Sequence, residues 1–211
     1  MITIVDYGSG NIEAFVNIYK RLNIPCEVAT KPEQILKAKK IILPGVGSFD
    51  ETMRILRDSG MLNALNKQVL KNKTPVIGIC VGMQILSKKS DEGELDGLGW
   101  IDAEVKKFNI NKLKEKPHLP HMGWNTFQSE KDNPILANLV PEKGFYFLHT
   151  YYFSCSNAKD VLTSTVYGER YTSAINHNNI YGVQFHPEKS HSNGVQLLKN
   201  FANLKSCSGQ E

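Results

Sequence analysis

Apolar residues recur along the first half of the chain in two alternating patterns. Short continuous runs, Ile2-Thr3-Ile4-Val5, Cys26-Glu27-Val28-Ala29, Ile41-Ile42-Leu43 and Val76-Ile77-Gly78-Ile79, read as strands. Between them the spacing turns helical. Ile12, Phe15, Val16, Ile18, Tyr19 and Leu22 mark one helix, a short one follows around Pro32 to Lys37, and a longer region runs from about Phe49 to Leu70 with a break near Gly60. Met83 to Lys88 starts another helix. Strands that are apolar throughout and separated by helices are covered on both faces. The pattern therefore predicts a parallel sheet in a doubly wound α/β layer.

The second half changes character. Trp100–Val105, Trp124–Phe127, Gly144–Leu148, Val161–Val166, Tyr171–Ile175 and Ile180–Phe185 read as strands, with Asn176-His177-Asn178-Asn179 as the turn between the last two. Strands in succession predict antiparallel additions to the sheet. A last helix is expected to start at Ser192 as N-cap and to turn Val195, Leu198 and Phe201 inward. The expected fold is three-layer α/β: a mixed, mostly parallel central sheet with helices on both faces. No repeat or linker divides it, so residues 1–211 are read as one domain.

Composition adds exclusions. With 41% hydrophobic and 22% charged residues, disorder and coiled coil are not expected, and 211 residues can bury a large core. A net charge of +4 is too small to imply nucleic-acid binding. Lys106 to Lys116 is Lys-rich and reads as a solvated loop. The N-terminus meets Asp6 without a basic start, unlike a signal peptide. The longest uncharged apolar-rich run, Thr74 to Leu86, is short of the ~20 residues a membrane helix needs. The expectation is a cytoplasmic protein with no membrane partner.

Cysteines stand at 26, 80, 155 and 207 with no CxxC, so free thiols in a reducing compartment are expected. His118 and His121 lack further ligands nearby, and neither metal nor cofactor is expected. Cys80 differs from the other thiols. Gly78-Ile79-Cys80-Val81-Gly82 follows a buried strand and precedes a helix, the G-x-nucleophile-x-G elbow with cysteine in the nucleophile slot. Glycines on both sides permit the sharp turn, the side chain projects above the carboxyl edge of the sheet, and the helix start favours a thiolate. The elbow alone fits equally a small buried residue between packing glycines.

A nucleophile needs a base and an orienting group. Tyr181-Gly182-Val183-Gln184-Phe185-His186-Pro187-Glu188 ends an apolar strand, and period-two alternation puts His186 and Glu188 on one side, where the carboxylate can hold the imidazole tautomer. Oxyanion donors are sought at the Val81 N–H and in Pro44-Gly45-Val46-Gly47, where Val46 and Gly47 can aim N–H groups inward.

Together these residues resemble the class I (triad) glutamine amidotransferases. GICVGMQ, residues 78–84, looks like the family's nucleophile motif, and GVQFHPEKS, residues 182–190, like its His/Glu motif. The resemblance covers essentially the whole chain, with no fused synthase domain. Asp6 to Ile12, Pro44 to Phe49, Pro120 to Asn125 and Phe147 to Tyr152 are similar to the glutaminase subunits of imidazole glycerol phosphate synthases. Val81, Thr150 and Ser9 depart from the commoner Leu, Ser and Met without touching the chemistry.

The resemblance implies a flavodoxin-like fold and a glutaminase in which Cys80 attacks the glutamine amide, His186 transfers protons and Glu188 orients His186. It implies that Gly45, Gln84, His149, Thr150 and Tyr151 hold substrate. Asn11, Trp124 and Lys189 would meet a separate (β/α)8-barrel cyclase in a heterodimer that uses the ammonia for histidine biosynthesis. Its PGVG loop suggests an oxyanion N–H held away until the partner binds. A paralogue that feeds a sugar-modifying synthetase in surface-polysaccharide biosynthesis shares these residues and stays open at this point. A cysteine hydrolase acting alone, or a polypeptide that only binds a partner, fits the triad and Gln84 less well.

Overall fold

The computed structural model describes residues 1–113 and 119–205. Lys114, Lys116, His118 and Cys207 lie outside the described residues. In chain order the elements are β1 (Ile2–Val5), α1 (Ile12–Arg21), β2 (Cys26–Ala29), α2 (Pro32–Ile35), β3 (Ile41–Gly45), α3 (Phe49–Asp58), α4 (Leu62–Asn66), β4 (Val76–Cys80), α5 (Val81–Gln84), β5 (Lys89–Ser90) and β6 (Ala103–Lys107). There follow β7 (His121–Asn125), β8 (Gln128–Ser129), β9 (Phe145–His149), β10 (Tyr151–Cys155), β11 (Val161–Tyr167), β12 (Glu169–His177), β13 (Ile180–Val183) and α6 (His191–Asn203).

The main sheet runs β2-β1-β3-β4-β13-β12-β10-β6-β5, with β11 and β8 branching from β12, and β7 pairs β9 separately. From β2 to β13 the strands are parallel; β12, β10 and β6 join antiparallel. Ile4, Ile42 and Ile77 are fully buried, as strands covered on both faces require. Right-handed crossovers send α1 and α2 to opposite faces, because β1 to β2 steps one way along the sheet and β2 to β3 the other. Tyr19 Oη on α1 donates to the Leu198 carbonyl on α6, and Gln68 Nε2, just after α4, donates to the Ile35 carbonyl on α2. Each helical layer is thus tied internally by a buried hydrogen bond.

The α/β architecture expected from the pattern is the one observed, and five elements differ in detail. The helix expected over Met83–Lys88 stops at Gln84. Residues 81–87 are all buried, so their apolar character reflects burial on every side rather than one helical face. Tyr151–Cys155 is a strand that the pattern did not predict, because only Phe153 is buried and no alternation marks it. The strand expected at Trp124–Phe127 lies earlier, at His121–Asn125, and the one expected at Trp100–Val105 lies later, at Ala103–Lys107. The last helix begins at His191 after Ser190, not with Ser192 as cap; the Ser190 hydroxyl instead donates to the His186 carbonyl and accepts from Tyr146 N–H.

Candidate active site

Three adjacent parallel strands, β3, β4 and β13, bring their carboxyl ends together, where α/β sheets bind ligands. Gly45 stands beside Cys80 across one ladder and Val183 beside Ile79 across the other. Cys80 closes β4 with φ 54° and ψ −113°, a strained conformation for a residue with a Cβ. The crossing backbone explains the flanking glycines. A Cβ on Gly82 would lie 2.0 Å from the Leu43 carbonyl oxygen, and one on Gly78 would lie 2.4 Å from that of Gly82. The helix after the elbow is a single turn, Val81–Gln84, so its help to a thiolate comes from its first N–H groups rather than from a long macrodipole.

His186 follows β13 and is anchored by its own N–H, which donates to the Tyr146 carbonyl at 2.9 Å. Its Nδ1 lies 2.9 Å from Glu188 Oε1, and both side chains are buried. The contact is not made by strand alternation, since β13 ends at Val183. A single 3-10 turn over Pro187–Lys189 folds the carboxylate back onto the ring. Burial alone would lower the His186 pKa, but hydrogen bonds to Cys80 and Glu188, and the charge of both, raise it to about 10. Cys155 contrasts with this. Burial, with the charge of Asp160, pushes its thiol up to about 12, and no histidine is among the groups that shift it.

Cys80 and His186 open into a cavity of about 300 Å³ lined also by Val46, Gly47, Val81, Gln84, His149, Thr150, Tyr151 and Lys189. Every substrate or oxyanion position expected from the sequence lies here, except that Gly45 sits behind the wall, beside Cys80. Asn11 and Trp124 are outside it. Asn11 is exposed before α1; Trp124 is 49% exposed and stacks on His191 at 5.1 Å between ring centres. Lys189 extends over the Tyr146 ring, next to Trp124, so it joins the cavity rim to this aromatic surface.

The Val46 N–H does not face the cysteine. It donates to Ser9 Oγ at 3.0 Å, and the same hydroxyl donates to the Val46 carbonyl at 3.1 Å. Gly47 then takes φ +100°, a conformation that L side chains rarely adopt. Two residues of the site were missed at the sequence level. Glu92 lines the cavity, with one carboxylate oxygen accepting from Phe49 N–H at 2.8 Å. Gln184 is fully buried, with Nε2 donating to Cys80 Sγ at 3.8 Å. Gln184 was visible as a polar residue inside an apolar strand run; Glu92 lies in a loop with no periodic signal.

A thiol, a paired imidazole and N–H donors around one cavity can perform acyl transfer through a covalent thioester. Comparison with known proteins agrees. The family model "Glutamine amidotransferase class-I" matches residues 3–204. A Bdellovibrio bacteriovorus protein named imidazole glycerol phosphate synthase subunit HisH is 50% identical over 97% of this chain and 100% of its own length. A Leptospira borgpetersenii protein of the same name is 48% identical over the same shares. In fold, the structure of PurLQS from Thermotoga maritima superposes with a TM-score of 0.69 at 16% identity, covering 95% of this chain and 96% of that one. With the elbow cysteine, its buried His-Glu pair and the matching sheet in place, the chain belongs to the class I glutamine amidotransferases.

Proposed function

We propose that this chain is the glutaminase subunit of an imidazole glycerol phosphate synthase, with residues 1–211 acting as one glutaminase unit. It hydrolyses glutamine to glutamate and ammonia and passes the ammonia to a separate (β/α)8-barrel cyclase in a heterodimer of histidine biosynthesis. The observation that carries the chemistry is the Cys80–His186–Glu188 array at the mouth of one cavity. Full-length identity to the relatives named above supports the pathway.

In this reading Cys80 Sγ attacks the side-chain amide carbon of glutamine, and its proton passes to His186. His186 returns that proton to the nitrogen as the C–N bond breaks, releasing ammonia and leaving a γ-glutamyl thioester. Water then attacks the thioester, giving up a proton to His186 and restoring the thiol as glutamate leaves. Glu188 holds Nδ1–H and faces the imidazolium charge. Val81 N–H supplies one oxyanion donor. The second comes from the Val46–Gly47 loop once Val46 N–H leaves Ser9, which makes the free chain a slow glutaminase. Gln84 and the His149–Thr150–Tyr151 segment hold the substrate beside Gly45, and the Glu92 carboxylate matches its α-ammonium group. Asn11, Trp124 and Lys189 face the cyclase. The reaction requires no cofactor, and a reducing cytoplasm keeps the Cys80 thiol free.

Cys80→Ala tests the reading. Glutamine-dependent synthesis by the reconstituted pair should disappear, while synthesis from added ammonium salt continues. Glutamine turnover that survives the substitution refutes it.

A further inference from the structure

A row of buried polar side chains runs from β7 to the cysteine, and its contact with the sulfur has no part in the steps above. Gln184 Nε2 donates to Cys80 Sγ at 3.8 Å, and its Oε1 accepts from Gln84 Nε2 at 3.0 Å. Gln84 Nε2 also donates to the Tyr151 carbonyl at 3.0 Å, which uses both of its hydrogens. The Tyr151 carbonyl can only accept, so His149 Nδ1, 2.8 Å away, carries the ring proton and Nε2 is an acceptor. That Nε2 lies 3.2 Å from His121 Nδ1 and 3.3 Å from Tyr171 Oη. At the far end Asn125 Nδ2, which can only donate, lies 3.3 Å from His121 Nε2. His121 therefore carries its proton on Nδ1 and donates inward to the acceptor of His149.

The donors point one way along β7 and β9, from Asn125 through His121 to His149. The same carbonyl that receives the last of them fixes Gln84, and Gln84 fixes which end of the Gln184 amide faces sulfur. A flipped Gln184 would set its oxygen against the sulfur and its NH2 against that of Gln84. Burial keeps the row neutral, pushing His121 down to about 4 and His149 down to about 3, the latter also through the neighbouring His121. Other titratable groups that face Cys80 are His186 and Tyr7, with Glu92 and Lys189 on the cavity wall.

We propose that Gln184 is a further residue of the catalytic centre, whose amide N–H stabilises the thiolate of Cys80. Gln84, His149 and His121 act as positioning residues that hold it in this orientation and tie it to β7. The inference rests on the glutaminase reading only for its kinetic consequence.

The test is the pH dependence of Cys80 alkylation by iodoacetamide in the full chain, followed by mass spectrometry of the Cys80 peptide so that the other thiols do not interfere. Gln184→Met keeps the length and removes the amide. Its alkylation midpoint should rise by about one pH unit, the scale of a hydrogen bond to a charged group. In the reconstituted pair kcat for glutamine should fall about tenfold with KM within about twofold. Asn125→Ala, at the half-exposed outer end, should move the midpoint the same way by a smaller amount and serves if Gln184→Met does not fold. A folded Gln184→Met with an unmoved midpoint overturns the inference, as does an unmoved midpoint in Asn125→Ala when the first variant fails to fold. A shifted midpoint in a protein that never hydrolyses glutamine would overturn the glutaminase reading and leave this inference standing.

Discussion

Ser9 is a small residue with a large consequence for the site. One hydroxyl satisfies both backbone polar groups of Val46, so turning that N–H toward Cys80 means breaking its bond to Ser9 Oγ. Ser9→Ala removes both restraints and should raise glutaminase turnover of the isolated chain several-fold, while turnover in the assembled pair changes little. A coupled glutamate assay on the two states checks it, and equal basal rates would show that Ser9 does not restrain the loop. Glu188 acts through charge. Glu188→Gln keeps the shape but removes a negative partner of His186, so the imidazole should titrate well below about 10 and kcat should drop. The ring-proton resonance of His186 followed with pH reports this directly. Glu92→Gln leaves the cavity its size and removes the charge proposed to face the substrate ammonium. It should raise KM for glutamine about tenfold or more with a smaller change in kcat.

At the scale of elements, the elbow works because strand, turn and helix touch through backbone alone. Gly82→Ala drives a Cβ against the Leu43 carbonyl of the neighbouring strand, so β3 and β4 must separate or α5 must unwind. Overpacking of this kind costs roughly 1–3 kcal/mol, and urea denaturation should place the variant at the upper end. The same element shows what a sequence can disclose. β1 and β4 were legible nearly to the residue, because burial on both faces writes a continuous apolar run between helical periods. β10 was not, since two half-buried tyrosines and a half-buried cysteine surround Phe153 without alternation. His186 and Glu188 were found as a pair, yet what joins them is the turn at Pro187, a local geometry that period-two spacing does not contain. Ser9 was noticed only as a departure from the commoner residue. Its hydroxyl acquires a role when β3 carries Val46 alongside it, a contact between residues far apart in sequence.

Across the whole molecule the buried histidines set opposing limits on pH. His121 and His149 have folded pKa values depressed below the ordinary 6.5, so the unfolded chain binds their protons more tightly. The stability they contribute is complete above about 6.5 and is lost as pH falls toward about 4 and 3. His186 runs the other way. Raised to about 10, it contributes stability that is full below about 6.5 and lost as pH rises through about 10. Melting temperature should therefore peak near pH 6.5 and fall on either side. His149→Gln should flatten the acid limb in calorimetry, whereas an acid limb as steep as that of the unsubstituted chain would assign it to other groups. The exposed Trp124 and Met122 project from the same side of β7 beside Lys189, a surface with large apolar area and little packing of its own. Trp124→Ala should weaken cyclase binding at least tenfold by titration calorimetry and leave the melting temperature within about 1 °C, since the ring contributes little to the core.

The pairing of β4 with β13 has an evolutionary corollary. The separation of Cys80 and His186 is set by one ladder, with Gly78 beside Gly182 and Ile79 beside Val183, and by the bond of the His186 N–H to the Tyr146 carbonyl. Of the long stretch of chain between the two strands, β9 has to hold its place for the sulfur and the imidazole to meet, because its Tyr146 carbonyl accepts from the His186 N–H. The loops of that stretch and the exposed surface around Trp124 can be lengthened, trimmed or re-lettered to suit a new acceptor of ammonia while the hydrolytic pair stays in register. Lineages that exchange partners are expected to differ there and to agree at the two strand ends.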